Sequence, residues 1–193
     1  MTAVVTIVEG DGEVSALPVL LRRIAGWLSP QASFSFPSPI RVRRDRFLNK
    51  DDEFRRMLLL AAAKCGDAGW ILVLLDADDD CVAELAASIL ARAAAVIPYR
   101  KVSVVLANRE YEAWFLAAAQ SLHGCRGFAL ADGEDVEPEN VRNAKGWMAA
   151  RMQTGYRETT DQPAFSARID LEEARNRSRS FRKLCDEWAK HMT

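Results

Sequence analysis

Val4-Val5-Thr6-Ile7-Val8 leads directly into Glu9-Gly10-Asp11-Gly12-Glu13. Five β-branched residues in succession describe a strand buried on both faces, the pattern of a central strand in a parallel sheet. Glu9 then stands at the strand's carboxyl end. The two glycines allow a tight turn, and Glu13 falls where the next helix should begin. A second apolar run, Trp70-Ile71-Leu72-Val73-Leu74-Leu75, also ends in acids, Asp76-Ala77-Asp78-Asp79-Asp80. Ligand chemistry in open α/β sheets gathers at the carboxyl ends of strands. If these two strands are neighbours, their carboxylates crowd one edge, and such crowding is relieved by a shared cation.

Outward from that pair, the chain alternates. Leu17, Leu20, Leu21, Ile24 and Leu28 recur at helical spacing, predicting a helix from Glu13 to Trp27. Phe34 to Val42, interrupted by Pro37 and Pro39, reads as a weak edge strand. Asp51-Asp52-Glu53 opens a helix reaching Cys65, with its acids at the positive end of the dipole. Val82 to Ala95 is alanine-rich and helical, and Val102 to Leu106 supplies a further strand. Asn108 is a candidate N-cap for a helix through Leu116, followed by loop from His123 and a helix from Pro138 through Met152. Residues 154–167 read as irregular. A charged helical pattern covers Asp170 to His191, with a break near 176–180 and Phe181, Leu184, Cys185 and Trp188 facing inward. The expected fold is α/β, a mainly parallel central sheet flanked by helices. Residues 1–122 form its core, and residues 123–193 a loop and helical extension packed on it.

The 193 residues carry a formal net charge of −1, and 49% are hydrophobic, enough for a substantial single core. The near-neutral total hides a basic run at Arg41, Arg43, Arg44 and Arg46 and another from Arg175 to Lys183, so charge does not argue against nucleic acid. Four scattered cysteines and two histidines support neither a zinc cluster nor a disulfide framework. With no apolar leader and no span-length apolar stretch, the expectation is a cytoplasmic protein with reduced thiols and no membrane contact.

The acids have ordinary explanations as well as functional ones. Asp80 suits a helix N-cap, and Glu13 and Glu112 suit first turns. Glu9 is harder to explain without a cation. Asp76 and Asp78, two apart, point to one side if the strand persists, which lets both face one metal. All-oxygen ligands favour Mg2+ or Mn2+, and such an ion serves phosphate chemistry. Glu112 is placed to orient a water or simply to start a helix. Arg41, Arg43, Arg44, Arg168, Arg179 and Arg182 are candidate contacts to a phosphate backbone. Lys145, His123 and Trp114 read as surface, loop and core residues. Gly10 and Gly12 lack the third glycine of a dinucleotide loop.

Val8-Glu9-Gly10-Asp11-Gly12-Glu13 together with Leu75-Asp76-Ala77-Asp78 resembles the Toprim domain of topoisomerases, primases and overcoming-lysogenisation-defect nucleases. The whole chain is similar to a small stand-alone Toprim-like group, domain of unknown function family 4276. Its further marks are Glu110 to Ala117, Ala144-Lys145-Gly146-Trp147, Ala167 to Leu171 and Ser180-Phe181-Arg182. The resemblance implies a metal-dependent phosphodiester site. Glu9 is then a ligand or proton shuttle, Asp76 and Asp78 are ligands, and Glu13 holds a position more often occupied by aspartate. It also implies a nuclease or nicking enzyme working on DNA or RNA beside an ATPase partner in a prokaryotic antiphage system. The chain carries no phosphate-binding loop of its own and no placeable strand-passage tyrosine. The alternative is a non-cutting module that binds nucleic acid or the ATPase. A receiver-like switch phosphorylated on Asp76 lacks the expected lysine after a later strand. A homo-oligomer is left open.

Overall fold

A computed structural model describes residues 1–192. Five strands, β1 (Thr2–Val8), β2 (Phe34–Ser35), β3 (Ile40–Arg41), β4 (Trp70–Asp76) and β5 (Lys101–Ala107), form one all-parallel sheet. The order is β2-β1-β4-β5, with β3 also alongside β1 beyond β2. The two short strands lie on either side of the proline pair, which confines pairing to the sheet's edge. The two acid-tipped strands are direct neighbours, in register from Val4 opposite Trp70 to Ile7 opposite Val73.

Alternation along each strand separates two cores. On one face Val5, Ile7, Ile71, Val73, Leu75, Val104 and Leu106 pack under α2 (Arg44–Asn49), α3 (Asp51–Cys65) and α4 (Val82–Val96). On the other, Val4, Val8, Trp70, Leu72, Leu74, Val105 and Ala107 pack under α1 (Asp11–Leu28), α5 (Ala113–Ala117), α6 (Ala144–Ala149), α7 (Glu158–Ser166), α8 (Leu171–Arg177) and α9 (Arg179–Met192). The C-terminal helices thus complete the second core. Phe181, Leu184, Cys185 and Trp188 of α9 are buried, and the Trp188 indole stands edge-on to Trp70 with ring centroids 6.0 Å apart. Among the described residues no helix is long and apolar enough to cross a membrane.

Four local expectations change. The Arg43-Arg44 run opens the short helix α2, whose Phe47 is buried against Phe54. Asn108 caps no helix; Arg109 takes a left-handed φ of 66°, and α5 starts only at Ala113. The predicted helix from Pro138 to Met152 is a single 3-10 turn at 138–140 followed by α6, capped by Asn143 accepting from Gly146 N–H. The segment read as irregular contains α7, despite Pro163 inside it. Asp161 holds its first turn by accepting from Arg157 N–H at 2.7 Å, and α7 packs along α1.

Candidate functional site

Glu9 and Asp76 stand at the carboxyl ends of adjacent strands, where the Glu9 charge helps raise the Asp76 carboxyl pKa and the Asp76 backbone hydrogen-bonds to Glu9. The strand does not persist beyond Asp76. Asp78 has a left-handed φ of 50°, so the two aspartates do not share one side as their spacing predicts. The turn divides the acids between the two faces of the sheet, with Glu9 at the boundary.

On the α2 face, Arg44 gathers Glu9, Asp78 and Asp80. Its guanidinium lies 3.9 Å from Glu9 Oε2 and 3.8 Å from Asp78 Oδ2, and it donates a short hydrogen bond to Asp80. Burial works against the Arg44 charge, but the bond to Asp80 and the charges of Asp78, Asp80 and Glu9 outweigh it and raise its pKa. Glu9 moves up from the usual carboxylate range because burial disfavours its charge and Asp78 and Glu13 repel it, with Arg44 offsetting part of this. Glu9 Oε2 and Arg44 Nε are both buried and lack hydrogen-bond partners. An orphaned carboxylate oxygen of this kind calls for a cation or donor.

On the opposite face, Asp76 accepts from Tyr111 N–H at 2.9 Å. Its carboxyl is pushed well above the usual range by burial and then by Glu13, Glu112 and Glu9. Glu112 is 1% exposed, and burial lifts its pKa to about 7. Tyr156 donates its hydroxyl to Glu112 Oε1 at 2.9 Å, and Gln162 of α7 uses Nε2 to bridge Glu112 and Glu13, 3.2 Å from each. Gln162 Oε1 is buried without a partner. Lys145 of α6 pairs with Glu158 at 2.8 Å; burial opposes its charge, but Glu112, Glu158 and Asp76 raise its pKa.

Glu13 accepts from Gly10 N–H and so closes the reciprocal half of a capping box on α1. The glycines of this turn are not needed for a left-handed backbone, since neither has positive φ. Gly12 is needed for close approach: a Cβ there would fall 2.2 Å from Gln162 Oε1.

The sequence-predicted site residues therefore separate. Glu9 meets Arg44 and Asp78 on one side and Asp76, with Glu13 and Glu112, on the other. Arg41 pairs with Asp11 at 3.0 Å beside the β1–α1 turn, and Arg43 is exposed at the start of α2. Arg168 lies by Arg23 and Trp27, at the opposite end of α1 from Glu13, and Arg182 is spent on the carbonyls of Arg175 and Asn176. Arg179 lies in a groove beside β5. Lys145, read as a surface residue, belongs to the acidic cluster. The sequence offers Tyr156 only as a strand-passage tyrosine without a matching accessory domain and gives no role to Gln162, because both arrive on the segment read as irregular; first-turn acids Glu158 and Asp161 were the available signal.

Among the described residues no three His, Cys, Asp or Glu side chains stand ready to hold a metal ion. The donor chemistry nevertheless fits a hard divalent cation: every donor is oxygen, and Glu9 Oε2 accepts no hydrogen bond. The family described as Domain of unknown function (DUF4276) matches residues 8–188. The chain belongs to that family. The match takes in the β1 terminus, the β4 acids, Glu112 and Lys145, so both faces of the site lie inside the family's own domain. No curated protein and no solved structure matches it.

Proposed function

We propose that this family member is a Toprim-like phosphodiesterase, dependent on Mg2+ or Mn2+, that cuts or nicks DNA or RNA as the effector of an ATPase-coupled antiphage system. The observation that carries the proposal is the meeting of Glu9 and Asp76 on adjacent parallel strands, with one buried carboxylate oxygen of Glu9 that accepts no hydrogen bond and has only the Arg44 guanidinium near it. Glu9 and Asp76 would hold the ion, with Glu13 as a further donor once released from its cap; Asp78, which lies on the Arg44 side, would join them only after its turn swings back. When bound, the ion supplies Lewis-acid polarisation of a phosphoryl oxygen.

The protein's own groups do the rest. Glu112, with a pKa of about 7, exchanges a proton near neutral pH, and Tyr156 and Gln162 fix its carboxyl. Lys145 offsets negative charge beside Asp76 and Glu112. Arg41 and Arg43, at the α2 side of the strand ends, suit a phosphate backbone. Because Arg44 occupies the Glu9 side of the cluster, ion binding requires its guanidinium to leave Glu9.

One observation favours a second reading. The acids are already engaged by Arg44, Gly10 N–H and Gln162, a self-satisfied arrangement that suits a non-cutting binding module. Plasmid or labelled RNA incubated with Mg2+ or Mn2+, beside Glu9→Gln and Asp76→Asn, separates the two. Cleavage by the wild type and loss of it in both variants supports the enzyme. Nucleic-acid binding without cleavage supports the module. Equal cleavage by all three places the chemistry elsewhere.

A further inference from the structure

β5 is the outer strand of the sheet. Ala107 C=O accepts from Ala77 N–H and therefore faces β4's end of the turn. Backbone alternation then turns the N–H and C=O of Val102, Val104 and Leu106 away from β4, onto the open side. Along that side runs a groove of about 530 Å³. Unpaired strand edges are templates for another strand unless they are covered or guarded by charge.

The two walls of the groove differ in chemistry because they belong to opposite faces of the sheet. Ala83, Ala87 and Leu90 of α4 form one wall. That helix buries only Ile89 and Ala93, and Leu90 is 44% exposed, so an apolar surface is left without a covering element. Arg179, Lys183 and Lys190 of α9 form the other. The two acids of the groove are already engaged. Glu187 is held by Ser103 and Lys183, and Glu139 accepts from Ser178, Ser180 and Asn108. With Arg179, Lys183 and Lys190 against those two carboxylates, the α9 wall keeps a net positive charge.

A strand laid against β5 directs successive side chains to opposite faces. One set meets the alanine and leucine wall; the alternate set meets the cations. A second copy of this chain fits poorly. Antiparallel pairing of β5 with itself about a two-fold axis normal to the sheet sets α9 beside α9, cations against cations. We propose that the β5 edge is a docking site for an extended segment of another protein in which apolar and acidic residues alternate.

The test uses the full chain and a fluorescent peptide of alternating Val and Glu, as long as the seven-residue β5. An alternating Val and Lys peptide is the control. The Val and Glu peptide binds with an affinity that falls as salt rises, and the amides of Val102, Val104 and Leu106 gain protection from hydrogen exchange. The double variant Arg179→Glu, Lys190→Glu weakens it by roughly tenfold or more and binds the Val and Lys peptide instead. Leu90→Asp, on the other wall, weakens the Val and Glu peptide without reversing the charge preference. No binding, or equal binding of both peptides, overturns the proposal. Protection confined to α4 shows a helix-binding surface and also overturns it. So does protection of the same β5 amides by self-association without peptide.

Discussion

Glu112→Gln should change how stability depends on pH more than it changes stability itself. Glu112 is 1% exposed and its pKa rises from 4.5 to about 7 on folding, chiefly through burial. Between those values the native state holds a proton that the unfolded chain has released. The native state is therefore favoured at low pH and loses that advantage as pH climbs through 7. The full advantage is about 3 kcal/mol, taking about 1.4 kcal/mol for each pKa unit. Glutamine cannot titrate, yet its Oε1 still accepts from Tyr156 and Gln162, so the packing and the hydrogen bonds survive. Relative to the wild type, the variant should gain up to about 3 kcal/mol between pH 4.5 and pH 8. Urea unfolding followed by tryptophan fluorescence in metal-free buffer, at several pH values across that range, measures the difference. Glu9 also has a raised pKa, but it titrates in both proteins and cancels in the comparison; Asp76 does not cancel, because Glu112 helps raise its pKa, and the relief of that repulsion in the variant adds to the gain in the same direction. A stability difference that stays flat with pH would refute the placement of Glu112 as a buried, protonated carboxyl.

Arg44→Gln frees Glu9, Asp78 and Asp80 from their organic cation, so Mn2+ should bind roughly fivefold more tightly, about 1 kcal/mol, as read by calorimetry. An unchanged affinity would separate Arg44 from the ion's position. Gly12→Ala forces a Cβ against the Gln162 amide and should lower stability by about 1–3 kcal/mol in denaturant unfolding. Gln162→Ala should recover part of that loss when combined with it. Trp188→Ala removes a fully buried ring that packs on Trp70 and bonds Ser29 through its indole N–H, and should cost about 3–5 kcal/mol by the same assay.

The central strands were legible because β1 and β4 are apolar on both faces, a pattern that only a covered parallel sheet rewards. That Glu9 and Asp76 meet stood in the sequence only as a condition, since two acid-tipped strands of one sheet need not be neighbours; the direct pairing of β1 with β4 meets it. What periodicity does not contain is the path of the chain after a strand ends. Asp78 leaves the alternation because its backbone turns left-handed, a choice made by the loop and not by spacing. α7 has weak local signals, two adjacent threonines and Pro163, and is stabilised by packing along α1, so nothing nearby in sequence announced that Tyr156 and Gln162 would reach Glu112. Lys145 is partly exposed, as a surface residue should be, and its nearness to the acids was missed for the same reason, since α6 reaches the acidic cluster only through tertiary packing.

Glu9 and Asp76, the acids at the centre of the candidate site, end β1 and β4, the two interior strands of the sheet. Opening those ladders approaches global unfolding, so their amides should be among the slowest in the molecule to exchange with solvent. Arg44 is different: it sits on a six-residue helix at the periphery of the sheet. Those two acids are thus anchored in the part of the protein that yields last, while the countercharge is carried by a long side chain on a short helix whose only buried residue is Phe47. Ionic conditions can then change the state of the cluster while the sheet that carries it stays intact.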